Sequence, residues 1–173
     1  MFLKLIGSFI VLGASSMIGF AMARDCARRP QQLRELQGTL QMFENEISYL
    51  SNVLSDAFGK MCYTSSSETA VFFKETIENI NQGCALNACQ AWEKAVRENI
   101  RKTALNNEDE KTLISFGKML GNSDMEGQIK NIRLTLTQLK LQEQKAEESR
   151  KKNESMFKNL GILGGLAVVI ILM

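Results

Sequence analysis

Cysteine is the residue type in this chain whose chemistry depends most clearly on spacing. The chain has four cysteines and no histidine, and an even number would permit disulfides in an oxidising compartment. No two of them form a Cys-x-x-Cys pair, so a zinc site would need cysteine ligands alone, at spacings that match no standard site. The sequence therefore favours ordinary buried or unreactive thiols and predicts neither a metal site nor a cofactor. The four are Cys26, Cys62, Cys84 and Cys89.

Two carboxylates close to a phenol form the second group that could do chemistry. On a helix, Glu44 and Glu46 project about 200° apart, so they cannot both face one substrate beside Tyr49. The chain also has no glycine-rich phosphate loop and no Gly-x-Ser-x-Gly elbow. A small membrane enzyme would need a nucleophile and a base, and the sequence offers no such pair. We therefore predict that the protein is not an enzyme.

Composition narrows the fold and the class of partner. A length of 173 residues suits one modest domain. The single proline and the frequent Leu, Glu, Lys and Gln favour helices and leave almost no sheet. A net charge of only +2 lacks the basic surface that binds many phosphates, which argues against nucleic acid as a partner.

The two ends of the chain are apolar. Residues 5–23 carry no charge and are close to the ~20 residues that a membrane-spanning helix needs. Residues 160–173 are also uncharged, and Met156 and Phe157 extend them because Lys158 can reach the headgroups. Arginine and lysine follow the first stretch and precede the second, which places the middle of the chain in the cytoplasm. We predict transmembrane helices at 1–23 and 156–173 around a cytoplasmic domain of residues 24–155.

The first apolar stretch allows an alternative. Ala21-Met22-Ala23 imitates the small-x-small site of a cleaved signal peptide. Cleavage there would leave an extracytoplasmic binding module that is anchored by the C-terminal span and stapled by disulfides. Oxidised cysteines and a mature start near Arg24 would distinguish this alternative.

The middle of the chain predicts an all-α, antiparallel bundle of about five to six helices. A long helix should begin at Pro30, where proline suits the first turn, and end near Gly59. Three shorter helices should follow: one over 68–81 that Gly83 stops, one from about Ala88, and one that Gly121 ends. The predicted core residues are Leu33, Leu36, Leu40, Phe43, Ile47, Leu50 and Leu54 in the long helix, and Phe72, Phe73, Ile77, Ile80, Trp92, Val96, Ile100, Ala104, Leu113, Phe116 and Leu120 in the shorter ones.

The last helix has the clearest start. Ser123 and Glu126 are spaced as in a capping box, and no breaker interrupts the chain from there into the C-terminal stretch. Its apolar stripe comprises Met125, Ile129, Ile132, Leu136 and Leu139. We expect the first and last helices to lie antiparallel as a stalk, with the shorter helices packed at its far end.

Four strings in these segments resemble the stage III sporulation protein AB family of endospore-forming bacteria. They cover both termini and both long helices, about half of the chain, and they are specific only in combination. The chain departs from the family pattern at Val53-Leu54, where a proline-leucine pair is usual, and at Asn131, where histidine is expected. The strings are MFLKLIGSFIVLGASSMIGFAMA, RPQQLRELQGTLQMFENEISY, LGNSDMEGQIKNIRLTL and MFKNLGILGGLAVVIILM.

The resemblance implies a domain similar to the cytoplasmic domain of the inner-membrane platform protein of type II secretion machines. It also implies a part of the channel between mother cell and forespore, in the mother-cell-derived membrane around the forespore, with the domain toward the mother-cell cytoplasm. The implied partners are the sporulation AA protein, a secretion-type ATPase, and other membrane components of the stage III sporulation A operon, in an oligomeric complex. The platform would transmit or receive force from the ATPase.

Five residues in the most family-like strings are the predicted partner-binding residues: Glu44, Glu46, Tyr49, Ser123 and Asp124. They include charges that flank the core stripes. Ser123 and Asp124 have a simpler explanation as well, because Ser and Asp are common helix caps.

Overall fold

The structure is a computed structural model that describes residues 2–50, 59, 61, 68–83, 87–120 and 124–172. These residues form five α-helices and one 3-10 turn, Ile100–Lys102, without a strand among them. The all-α prediction is confirmed. The helices are α1 (Phe2–Leu50), α2 (Ala70–Asn81), α3 (Ala88–Asn99), α4 (Asn107–Gly117) and α5 (Met125–Leu172).

The chain divides into two compact units. The central unit comprises residues 31–144, and the terminal unit comprises residues 1–30 and 145–173. All three shorter helices, α2 to α4, belong to the central unit. As far as the residues are described, none of the helices combines the length and the apolar composition that crossing a membrane requires.

Helix α1 is continuous from Phe2 to Leu50, across the boundary that the sequence predicts between residue 23 and Pro30. Pro30 lies inside the helix, so the prediction that a helix starts there is wrong. Proline removes one helical hydrogen bond and opposes the preceding turn, at a cost of about 3 kcal/mol. Good helix-forming residues continue on both sides of it in a 49-residue helix, and one lost bond does not end so long a helix.

The apolar stripe of α1 forms one side of the core of the central unit. Its described side chains are buried, as the spacing predicts. The side chain of Leu50, residue Leu54 and the approach to the predicted end near Gly59 lie outside the described residues. The buried residues of the stripe are Leu33, Leu36, Leu40, Phe43 and Ile47.

Helix α2 is rotated relative to the prediction. Phe72 and Phe73 are buried, but Thr76 and Asn79 are buried where Ile77 and Ile80 were expected, and the two isoleucines are half-buried. Burial of Thr76 is possible because its hydroxyl donates to the carbonyl of Phe72 at 2.6 Å. The predicted stop is confirmed: Gly83 has φ +66°, the left-handed conformation that glycine adopts most easily.

Helices α3 and α4 each have an asparagine as the N-cap, the residue directly before the helix. The Asn87 side chain accepts from the N–H of Gln90. Asn106 accepts from the N–H groups of Glu108 and Asp109, and the Asp109 carboxylate accepts from the N–H of Asn106, which completes a capping box. Helix α4 therefore starts directly after Asn106.

Helix α4 ends at Gly117, four residues before the predicted stop at Gly121, which lies outside the described residues. The backbone continues there as a 3-10 turn, with hydrogen bonds between residues three apart. The N–H of Met119 donates to the carbonyl of Phe116, and the N–H of Leu120 donates to that of Gly117. Leu120 remains buried, as predicted.

Helix α5 runs unbroken over 48 residues, which confirms the prediction of a continuous last helix. Ile132 and Leu139 of its predicted stripe are buried. Ile129 and Leu136 are half-buried, and Met125 is exposed because it occupies the first position of the helix. In the central unit α5 lies antiparallel to α1, as the contacts of the charged residues below establish.

Candidate functional site

Two ion pairs join α1 to α5 in the central unit. The guanidinium of Arg133 donates from Nε to Oε1 of Glu44 at 2.6 Å, and Arg34 donates from Nε to Oε1 of Glu143 at the same distance. Because Arg34 and Glu44 meet α5 in reverse order, the two helices are antiparallel. Helix α1 supplies the carboxylate in the first pair and the guanidinium in the second. A shift of one helix along the other would separate both pairs, so together they fix the register.

The predicted site residue Glu44 is held firmly. Its side chain is 12% exposed, whereas that of Arg133 is 69% exposed. The carboxylate therefore lies against α5 with the arginine on the solvent side. Near the opposite pair, the amide of Gln37 donates to Glu143 at 3.0 Å and to the carbonyl of Leu33 at 3.2 Å.

The predicted site residue Asp124 is the N-cap of α5. Its carboxylate accepts from the N–H of Gly127 at 2.9 Å, and its carbonyl accepts from the N–H of Gln128. The prediction of Ser123 as the cap is thus replaced by Asp124, because α5 begins at Met125. Ser123 itself lies outside the described residues. The side chain of Asp124 is exposed.

The described site residues gather at one end of the central unit. Asp124 precedes Arg133 by nine positions, so it lies about 13 Å beyond the level of Glu44 along the helix axis. Because the helices are antiparallel, Glu46 and the backbone of Tyr49 follow Glu44 in that same direction. Glu46 is half-buried, and the side chain of Tyr49 lies outside the described residues. We call Glu44, Glu46 and Asp124 the acidic end.

A chain of aromatic rings supports this end from inside. Phe43 of α1 contacts Phe116 of α4 edge to face at 6.3 Å between ring centroids, Phe116 contacts Trp92 of α3 at 5.2 Å, and Trp92 contacts Phe73 of α2 at 5.1 Å. The indole N–H of Trp92 donates to the carbonyl of Leu113 at 2.7 Å. Edge-to-face pairs of this kind stabilise beyond their burial, so four helices are joined through one cluster.

Side-chain amides attach α4 to α5. Asn131 donates to the carbonyl of Phe116 at 3.0 Å, in addition to the N–H of Met119, and Gln128 donates to the carbonyl of Met119 at 3.0 Å. Both amides thus bind carbonyls at the end of α4, where no further helical turn follows. Near the other end of α4, Gln142 donates to the hydroxyl of Thr112 at 2.9 Å and to the carbonyl of Glu108. The segment of α5 from Gln128 to Gln142, about four turns, therefore forms hydrogen bonds with both ends of α4.

Sequence reasoning missed these amides. The available signal for Gln128 and Gln142 is a polar residue at every seventh position, with Thr135 between them, and all three are buried beside the apolar stripe of α5. A polar residue that repeats with the heptad inside an apolar stripe indicates a buried hydrogen bond.

The described residues offer little to reaction chemistry. No group of three or more His, Cys, Asp or Glu among them could hold a metal ion. Cys26 and Cys89 are half-buried thiols, and Cys62 and Cys84 lie outside the described residues. What the described geometry provides is a charged surface on a rigid helical support, which suits binding.

Comparison with known proteins shows which family has this arrangement. The family model of stage III sporulation protein AB matches residues 4–173. The chain belongs to this family. Stage III sporulation protein AB of Bacillus subtilis (strain 168) is 33% identical over 171 residues, which cover 99% of each chain. A solved structure of stage III sporulation protein AB is 29% identical with a TM-score of 0.66, over 72% of this chain and 98% of the other.

Membership in the stage III sporulation protein AB family makes this chain a sporulation protein. The family is not a known family of enzymes. The similarity of the solved structure supports the all-α fold over the 72% of this chain that it covers. Asn131, where the resemblance led us to expect histidine, binds the end of α4 through its amide.

Proposed function

We propose that the protein is a non-enzymatic membrane platform component of the channel between mother cell and forespore, and that it docks a secretion-type ATPase through its central unit. The observation that carries this proposal is family membership over residues 4–173. The expected partners are the sporulation AA ATPase and other membrane components of the stage III sporulation A operon, in an oligomeric assembly.

Large apolar side chains in the terminal unit support attachment to a membrane. Met17 is 77% exposed and Ile170 is 68% exposed, and Phe20, Leu160 and Leu163 are exposed as well. Contiguous exposed apolar surface normally contacts lipid or another protein. With the uncharged sequence of 5–23, this favours spans at 1–23 and 156–173, in the mother-cell-derived membrane around the forespore and with residues 24–155 toward the mother-cell cytoplasm.

The continuity of α1 bears on the alternative of a cleaved signal peptide. Residues 21–24 lie within a helix that continues to Leu50, whereas a cleavage site requires accessible, extended backbone. This favours retention of the first stretch over a signal-cleaved, extracytoplasmic binding module.

Topology can be tested with the native cysteines. Thiols are labelled in intact cells with a membrane-impermeant reagent, before and after permeabilisation, and the N-terminus is measured by mass spectrometry. Labelling of Cys62 and Cys84 only after permeabilisation, with the first 23 residues present, is the expected result. Labelling in intact cells with a start near Arg24 would place the domain outside and overturn the proposal.

The acidic end is the proposed docking surface for the ATPase. Asp124 is exposed at the start of α5, and Glu126 beside it is exposed too, so negative charge is presented at this end. Glu44 forms an ion pair with Arg133, so its proposed role is to hold α1 and α5 together at this surface. Glu46, Tyr49 and Ser123 would contribute the other contacts with the ATPase.

Docking and capping by Asp124 can be separated by two variants. Asp124→Asn removes the charge and retains the cap, since Asn and Asp are comparable N-caps, whereas Asp124→Ala removes both. If the carboxylate contacts the ATPase, both variants should lower its capture by the full-length protein in a pull-down. Loss with alanine alone would assign Asp124 to capping only.

A matched pair tests the other side of the same end. Glu44→Gln keeps an acceptor for Arg133 without the charge, and Glu98→Gln removes an exposed charge from α3. Weaker capture with Glu44→Gln and unchanged capture with Glu98→Gln would support docking at the acidic end. Normal capture by Glu44→Gln and by both Asp124 variants would exclude it.

A further inference from the structure

Two leucines of α5 face solvent in the central unit. Leu134 is 58% exposed and Leu141 is 56% exposed. They are seven residues apart, so they share one face of the helix and lie about 10 Å apart along its axis. The buried residues Ile132 and Leu139 lie on the opposite side. The core therefore does not explain why leucine occupies these two positions.

The charges around these leucines have one sign. Between Gly127 and Gln142 the helix contains Lys130, Arg133 and Lys140 and no acidic residue. Lys130 and Lys140 are exposed, and the guanidinium of Arg133 is largely exposed although it contacts Glu44. An apolar pair at heptad spacing with lysines beside it is the pattern of one strand of a helix-helix contact.

We propose that this face binds an acidic amphipathic helix of another protein. We call Lys130, Leu134, Lys140 and Leu141 the leucine seam. The bound helix would place apolar side chains at heptad spacing against the two leucines and Asp or Glu against the two lysines, over about three turns. The seam is basic and the proposed ATPase surface is acidic, so this inference does not rest on the proposed docking of the ATPase.

Charge argues against a second copy of the chain as the occupant. A symmetric pair through the seam would bring two faces of the same positive charge together, which is unfavourable. The other large apolar side chains that are exposed among the described residues of the central unit are Met42, Met119 and Met125, and none of them lies on α2 or α3. The described part of the chain therefore offers no complementary acidic helix with an apolar stripe.

The width of the seam argues against a lipid surface. Helices that lie in a membrane interface present a broad apolar face, commonly with aromatic residues. Here the exposed positions between the two leucines are Thr137, Gln138 and Lys140, and none of them is apolar. So narrow an apolar stripe fits between the side chains of one partner helix and would bury little surface in a bilayer.

The binding experiment uses the full-length protein in detergent micelles and two labelled helical peptides of about three heptads. Both peptides have leucine at the a and d positions; one has glutamate at e and g, and the other has lysine. Fluorescence anisotropy should show that the glutamate peptide binds at least about tenfold more tightly than the lysine peptide. Equal binding of the two peptides would overturn the proposal.

Variants locate the binding. Leu134→Gln with Leu141→Gln should weaken binding of the glutamate peptide by at least about tenfold, because the apolar contact is lost. Met42→Gln is the matched control, since Met42 is an exposed apolar residue on α1. Unchanged binding by the double leucine variant, or an equal loss with Met42→Gln, would contradict the assignment of the seam.

A charge exchange makes the test independent of folding. Lys130→Glu with Lys140→Glu should reverse the preference, so that the lysine peptide becomes the tighter ligand, and an unfolded variant could not gain that binding. Lys94→Glu with Arg101→Glu, at exposed positions of α3 and the 3-10 turn, should leave the preference unchanged. Absence of the reversal would reject the charge recognition. Full displacement of the glutamate peptide by phosphatidylglycerol vesicles would assign the face to lipid instead.

Discussion

The central and terminal units treat the same class of side chain in opposite ways. In the central unit the largest apolar side chains are fully buried, among them Trp92, Phe72, Phe73 and Phe116. In the terminal unit Met17, Phe20, Leu163 and Ile170 are exposed on helices of equal regularity. Apolar burial stabilises by about 25 cal/mol per Å². The central unit obtains that stabilisation within the chain, whereas the terminal unit must obtain it from its surroundings.

Stability and attachment should therefore respond to different residues. Substitutions in the aromatic cluster should lower the free energy of unfolding of the central unit. Substitutions of exposed apolar residues in the terminal unit should leave that free energy unchanged and affect association with lipid or detergent. Substitutions at five positions test this contrast, each measured in the full-length protein in detergent micelles.

Trp92→Ala should have the largest effect. Trp92 packs edge to face on Phe73 and Phe116 and donates to the carbonyl of Leu113. Loss of these contacts and the resulting cavity should lower the free energy of unfolding by about 3–5 kcal/mol. Urea unfolding followed by circular dichroism measures the change.

The matched control lies in the terminal unit. Phe20→Ala removes an exposed aromatic ring, and the change in the same unfolding transition should stay within about 0.5 kcal/mol. Comparable losses for the two variants would show that the contrast between the units is wrong.

Gly117→Ala should have the next largest effect. A Cβ atom at position 117 would overlap Cδ1 of Trp92 and lie 3.1 Å from its Cγ. The indole is fully buried and cannot move away freely, so overpacking should cost about 1–3 kcal/mol. Trp92 is the single tryptophan of the chain, and its fluorescence reports the urea transition directly. An unchanged midpoint would mean that α4 can move away from α3 at little cost.

Asn131→Ala tests the attachment of α4 to α5. The substitution removes the amide donor of Asn131 from the carbonyl of Phe116, which keeps the N–H of Met119. The loss should therefore be that of one hydrogen bond, about 0.5–1.5 kcal/mol. Asn131→His introduces the residue that the resemblance led us to expect here. It retains a ring N–H donor and should lose less of the free energy of unfolding in urea. Equal losses for the two variants would show that the amide hydrogen bond contributes little.

Periodicity was sufficient for the core that these substitutions probe. Leu33 to Ile47, Trp92 and Phe116 are buried as their spacing predicts, because an apolar stripe identifies the side of a helix that faces a core. Periodicity was insufficient for α2, where Thr76 is buried and Ile77, the predicted core residue, is only half-buried. A short stripe defines the rotation of a helix only to about one position, and a hydroxyl that bonds to its own helix can be buried.

The features that depend on two distant segments could not be predicted. The ion pair of Glu44 with Arg133 requires knowledge of which residues of α5 lie opposite α1, and no local pattern contains that register. Pro30 illustrates a different error. The local preference of proline for the first turn of a helix predicted a start there, but helix-forming residues on both sides continue the helix through it. Asp124 as the cap in place of Ser123 differs by one position, which is the usual uncertainty of a helix end.

Gly38→Ala should have the smallest effect, and its sign should be opposite to that of Gly117→Ala. Gly38 is exposed in α1, and apart from the neighbouring backbone of the helix itself no atom lies within 4 Å of a Cβ placed there. Alanine should therefore add helix propensity without a clash and raise the free energy of unfolding by about 0.5–1 kcal/mol. The same substitution at two glycines of the central unit then separates propensity from packing, because only Gly117 contacts the aromatic cluster. If Gly38→Ala instead lowers the urea midpoint, a further part of the protein or of its assembly must pack closely against α1 at this position.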